Sequence, residues 1–190
     1  MKKFLKQKNT AFTLVETLVA LSIFTVSVLA LLVILTQGIS DTGYAKKKIL
    51  ATYLNQEGVE YIRNIRDTFV LYSGGSQTGW NGLNTKLINA SCQTNNGCYF
   101  DDQNLNYSNP SQPMAGITMN ACGSSCPALL YEGTTGKYGY LSGINSGFIR
   151  KIQVVPISAN ETKVFSTIYW TQGSGGYNIT FSESLFNWVE

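Results

Sequence analysis

The chain has 190 residues, of which 44% are hydrophobic, 13% are charged and none is histidine. That balance excludes a disordered chain, and the missing imidazole removes the commonest general base and metal ligand. The net charge of +3 is local: Lys2, Lys3, Lys6 and Lys8 fall in the first eleven residues, which carry no acid, and the remainder holds ten Lys/Arg against eleven Asp/Glu. A basic body suited to nucleic acid does not survive that subtraction, so no nucleic-acid partner is expected.

Thr17 to Leu35 is free of charge, and only Thr17, Ser22, Thr25 and Ser27 in it are polar. Taken from Phe12 to Thr36 the run measures roughly 37 Å as a helix, enough for a ~30 Å hydrocarbon core. It is too long for the apolar part of a cleaved secretory signal and lacks a small-x-small exit. Basic residues before the span predict a cytoplasmic amino terminus and an outward-facing body. Glu16 stands at the edge of the run, where a carboxylate is costly without a partner.

Ala11-Phe12-Thr13-Leu14-Val15-Glu16, after a short basic leader and before an apolar helix, resembles the type IV prepilin site. The continuation through Phe24 is most similar to minor pseudopilins of type II secretion and related minor pilins. Ala11 stands where that family usually has Gly, and the apolar helix lacks the proline that major pilins often carry. The resemblance implies that prepilin peptidase cuts between Ala11 and Phe12 and methylates the new amino terminus of Phe12. It implies that Glu16 acts in assembly by pairing with the Phe12 amine of a neighbouring subunit, which would set register. Other pilins or pseudopilins, an inner-membrane assembly platform and membrane lipid are the implied partners. The implied location is a single-pass inner-membrane protein with an extracytoplasmic head, entering a periplasmic or cell-surface filament.

The helical pattern continues past the span. Leu50/Ala51, Leu54, Tyr61/Ile62, Ile65 and Phe69 recur at steps of three or four with charges between them, which predicts an amphipathic helix with one face for a sheet. One continuous helix from about Thr13 to Arg66 is expected. Lys46-Lys47-Lys48 reads as a solvated face of that helix. Residues 70–147 are dense in glycine and hold three of the four prolines, which predicts loops, with possible short strands at Tyr99-Phe100 and Leu129–Tyr131.

Cys92, Cys98, Cys122 and Cys126 all lie in this region. Their C-x5-C and C-x3-C spacing is not that of zinc knuckles, so no metal is expected, and an exported head favours disulfides. Cys92–Cys98 with Cys122–Cys126 is the preferred pairing, and crossed pairing stays open. Asp101-Asp102-Gln103-Asn104 offers oxygen ligands but lacks the glycine and closing glutamate of an EF-hand.

The last forty residues alternate. Arg150–Val155 is expected to end at Pro156. Val164, Ser166, Ile168 and Trp170 share one face of the next strand, and Tyr177, Ile179 and Phe181 alternate in the last. With turns at 158–161 and 172–176 this predicts a three-stranded antiparallel meander. Leu185, Phe186 and Trp188 are expected to close the edge of the core.

The fold expected is therefore α+β and pilin-like, a long amino-terminal helix packed on a carboxy-terminal antiparallel sheet. Its segments are a leader (1–11), a membrane or filament-core helix (12–36), the amphipathic half of that helix (37–69), a loop-rich region with the cysteines (70–147) and the meander (148–190). No catalytic residues and no cofactor are expected, and the chain reads as a structural subunit. The alternative is a filament-tip binding module, an adhesin or a DNA-uptake minor pilin.

Overall fold

A computed structural model of the chain describes residues 13–72, 76–101 and 118–188. The chain divides into two units, Met1–Ala45 and Lys46–Glu190, each taken by itself below. Helix α1, Leu14–Tyr72, runs through both, six residues beyond the expected end at Arg66. In the second unit, the head, the predicted stripe is the buried one: Ala51, Leu54, Tyr61, Ile62, Ile65 and Phe69 face the core.

The meander forms as expected from β5 (Ile144–Ser158), β6 (Glu161–Gln172) and β7 (Gly175–Phe186), paired antiparallel in sequence order. Val164, Ser166, Ile168 and Trp170 are buried on the α1 side. The β6–β7 hairpin turns on Gly173-Ser174, and Gly173 takes the positive φ of 59° that a type II′ turn demands at its first central residue. Pro156 does not end β5. It pairs with Thr162 just before a bulge, beyond the stretch where β1 and β3 use the opposite edge of the strand. A missing N–H is tolerated where only one edge is paired.

Among the described residues four shorter strands extend the sheet: β1 (Cys98–Phe100), β2 (Met119–Ala121), β3 (Ala128–Glu132) and β4 (Lys137–Gly139). β1 and β3 contain the two stretches expected to be strands. The loop expectation for 70–147 fails in another place, because Ser76–Asn89 is helix α2. Trp80, Leu83 and Leu87 recur at helical spacing and are buried against Ile65, Phe69, Val154 and Leu185. The flanking glycines masked that spacing in the sequence, and Gly82 itself is needed for packing: a Cβ there would stand 3.0 Å from Phe69 Cδ1. Trp80 donates its indole N–H to the Ala159 carbonyl at 2.7 Å, pinning α2 to the β5–β6 turn. Leu185 closes the core, whereas Phe186 and Trp188 are exposed and do not share that role.

α1 meets the sheet through polar contacts as well as apolar ones. Ser166 donates to Asn55 Oδ1 at 2.8 Å, and Asn55 Nδ2 donates to the Ile179 carbonyl at 2.8 Å. Arg63 makes a fork of hydrogen bonds to Glu183 and also pairs with Glu60. Arg150, fully buried, lies 3.3 Å from Glu57 and stacks 4.5 Å from the Phe100 ring centroid.

Gly58 sits where α1 comes close to the sheet. A Cβ would stand 2.6 Å from Ser166 Oγ, 3.2 Å from Arg150 Cδ and 3.3 Å from Ile152 Cδ1. Alanine would raise helix propensity by about 1 kcal/mol, but overpacking costs ~1–3 kcal/mol. We expect Gly58→Ala to lower the melting temperature of the head and Gly58→Ala/Ser166→Ala to recover part of the loss. Unchanged melting of the single variant would show that the helix can lift off here without cost.

The hydroxyl of Tyr140 is sealed from water although part of its ring is exposed. Burial pushes this phenol above its ordinary value, and Arg150 beside it pulls the other way without cancelling the effect. A phenol whose folded pKa is raised keeps its full contribution below the unfolded value of ~10 and loses it as pH rises through the folded value. Denaturant melts between pH 9 and 11.5 should show falling stability, with a shallower fall for Tyr140→Phe. Equal slopes would assign the loss to other groups.

Candidate functional site: the amino-terminal helix and the disulfide loops

Ala11 and Phe12, the expected cleavage and methylation positions, lie outside the described residues. The description begins at Thr13, which caps α1. Thr13 Oγ1 accepts the Glu16 N–H at 3.3 Å, and Glu16 Oε2 accepts from the Thr13 N–H and hydroxyl, both at 3.1 Å. This is a reciprocal capping box. The T-x-x-E spacing signals it in the sequence, and the reading above, which treated Glu16 as lacking a local partner, missed it. In the single chain the carboxylate already satisfies otherwise orphaned donors and favours the positive end of the helix dipole.

The apolar stretch follows without interruption. α1 is the one helix among the described residues long and apolar enough to cross a membrane, with a mean hydropathy of 2.9 over its best window and none of that window buried. Its four polar side chains are folded back. Thr17 donates to the Leu14 carbonyl, Ser22 to Val19, Thr25 to Ser22 and Ser27 to Ile23, all at 2.8–2.9 Å. Each hydroxyl is thereby satisfied inside its own helix, as an apolar solvent requires. In the head, Lys47 leaves the solvated row expected for residues 46–48 and donates to the Thr171 carbonyl at 2.8 Å, while Lys46 and Lys48 stay exposed.

The four cysteines form Cys92–Cys98 and Cys122–Cys126, with Cα separations of 4.7 and 4.5 Å. This is the sequential pairing. No thiolate remains for a metal, and no group of three potential metal ligands occurs among the described residues. Cys92 follows the end of α2, where Ser91 adopts φ 57° and the Cys92 N–H bonds the Leu87 carbonyl at 3.0 Å, a Schellman closure. Gly97 must be glycine: its φ is +70°, and a Cβ would lie 2.5 Å from the Ile152 carbonyl oxygen. The two loops are joined, since the Cys122 N–H donates to the Gly97 carbonyl at 3.0 Å and Cys98 pairs with Ala121. Asp101, the first of the candidate calcium ligands, is buried, and Asp102 to Asn104 lie outside the described residues.

Loops this short remove about 2 kcal/mol each of unfolded-state entropy. They differ in what surrounds them. Cys92 and Cys98 belong to the main core, whereas Gly123, Ser124 and Ser125 between the second pair are exposed. We expect Cys92→Ser/Cys98→Ser to lower the melting temperature more than Cys122→Ser/Cys126→Ser, because the first also buries hydroxyls in apolar surroundings. The reverse order in calorimetry would sink this ranking.

Comparison with known proteins gives one match. A family model described as the prokaryotic N-terminal methylation motif covers residues 6–32. No curated protein and no solved structure matches the chain significantly. The matched segment holds the capping box and most of the apolar stretch. The motif, with a long apolar helix continuing onto an antiparallel sheet, supports a type IV pilin-like protein, a precursor of the kind processed by prepilin peptidase.

Proposed function

We propose that the chain is a minor pilin or minor pseudopilin, a structural subunit of a type IV pilus-like or type II secretion filament. The observation that carries this reading is a helix start bearing the methylation motif, followed at once by an exposed apolar stretch with no polar group left unsatisfied. Before assembly that stretch spans the inner membrane once and the head lies outside the cytoplasm. Prepilin peptidase cuts at Ala11/Phe12 and methylates Phe12. The assembly platform then moves the helix out of lipid and into a bundle of like helices. The chain performs no reaction of its own.

Glu16 is the residue on which assembly turns. In the single chain it caps its own helix. In a filament it would meet the amine of Phe12 from a neighbour, exchanging neutral donors for a charged one. The capping bonds of the carboxylate are already charge-assisted, so what the exchange adds is a full counter-charge, which in an apolar filament core sets register.

We expect mass spectrometry of membrane-extracted protein to find a methylated chain starting at Phe12, 179 residues long once the 11-residue leader is gone. Glu16→Gln and Glu16→Val should be made and cleaved like the parent yet co-purify poorly with filaments. Normal incorporation of Glu16→Val would remove the assembly role from the carboxylate, and an intact Met1 in cells with active peptidase would remove the processing step.

A further inference from the structure

One face of the meander is covered by α1 and α2, and among the described residues the other is open. On the open face two cavities, of about 340 and 330 Å³, lie side by side and share the walls Ile149 and Tyr169. One is bordered on its far side by Asn145 and Asn178. The other is bordered by Asn96, from the Cys92–Cys98 loop, and by Ser124 and Ser125, from the Cys122–Cys126 loop. Lys151 reaches across the second cavity, its Nζ 3.4 Å from the Asn95 carbonyl and 5.9 Å from the Tyr169 ring centroid. Among the described residues no carboxylate lines either cavity.

Asn145 and Lys151 are engaged, but several other polar groups here are idle among the described residues. The side chains of Asn96, Ser124, Ser125, Tyr169 and Asn178 make no hydrogen bond to another described residue, although elsewhere in the head Asn55 and Ser166 are engaged. Amides and hydroxyls both donate and accept, so they match a ligand whose groups do the same. An aromatic ring between them supplies an apolar face. The supports are rigid, since two disulfide-closed loops and the centre of a sheet hold the walls in place, which lowers the ordering cost of binding.

We propose that this groove binds a glycan, with one sugar residue on either side of Tyr169, the ring stacking on their C–H faces. Other ligand classes fit less well. Lys151 is the single cation in the groove among the described residues, too few for the phosphate neutralisation on which nucleic-acid affinity rests. The groove crosses the face of the sheet and not its free edge, so an extended peptide would find no ladder of backbone partners. A purely apolar ligand would leave the amides without partners. The proposal does not depend on the filament reading, because it concerns the single chain.

The test uses the full chain in detergent micelles on an array of mono- to tetrasaccharides covering neutral hexoses, N-acetylhexosamines and uronic acids. Hits are titrated by calorimetry. Retention of at least one sugar class is expected, with about tenfold weaker binding for Tyr169→Ala, the size of one aromatic contact. Asn178→Ala, at an exposed position on the edge strand, should weaken binding without changing the melting temperature, so the test stands even if Tyr169→Ala folds poorly. Gln56→Ala, on α1 and outside the groove, should bind as the parent does. An array without retention, or affinity that both groove variants leave intact, would overturn the proposal. So would preferential capture of single-stranded DNA or peptide in parallel wells.

Discussion

Arg150 is the charge that the head keeps entirely from water, and the seating of α1 on the sheet follows from how it is accommodated. Placing a guanidinium in the interior costs several kcal/mol unless a counter-charge meets it. Glu57 on α1 provides that charge, and the face of Phe100 on β1 covers the cation. One side chain on β5 therefore couples the helix to two strands. Sliding α1 by a turn would separate Arg150 from Glu57, part Asn55 from Ser166 and Ile179, and drive a side chain into the gap that Gly58 leaves open. Apolar packing alone would accept several registers of a helix on a sheet. These polar and steric contacts accept one.

The amino-terminal unit is governed by the opposite requirement. Its apolar residues are exposed, as they must be if lipid or like helices are to cover them, and the hydroxyls of Thr17, Ser22, Thr25 and Ser27 are turned inward to carbonyls. What distinguishes one end of this cylinder from the other is the Thr13–Glu16 box. The head needs a specific register, and the stem needs a surface without polar defects. A single helix meets both requirements by changing its side-chain pattern midway.

Much of this was legible in the amino-acid order. Periodicities of 3.6 and 2 in α1 and β5–β7 follow directly from which faces meet the core, and short cysteine spacings left sequential pairing as the simplest closure. Helix α2 was hidden because Gly79 and Gly82 read as turn signals, whereas Gly82 packs closely on Phe69 and Trp80, Leu83 and Leu87 carry the helical face. Pro156 was read as a stop because its tolerance depends on which edge of β5 is paired, a fact of the assembled sheet. The Arg150–Glu57 pair and the groove around Tyr169 join residues from distant segments, and no local pattern announces them. The capping box was visible and was passed over in favour of a longer-range role for Glu16.

The wiring of the head also fixes the order in which it can fold. The partners of the α1 stripe are at the far end of the chain: Asn55 waits for Ser166 and Ile179, Arg63 for Glu183, and Lys47 for Thr171. The meander, closed by tight turns, can form locally within microseconds. The part of the helix that faces the sheet cannot be covered until that meander exists, because loop-closure entropy must be met before such distant contacts return anything. Since synthesis runs from the amino terminus, Ala51 and Leu54 stay bare until the meander has emerged, whereas α2 can reach Ile65 and Phe69 earlier. A nascent chain of this kind carries a sticky stripe for most of its production, and shielding it falls to whatever holds the chain during that interval.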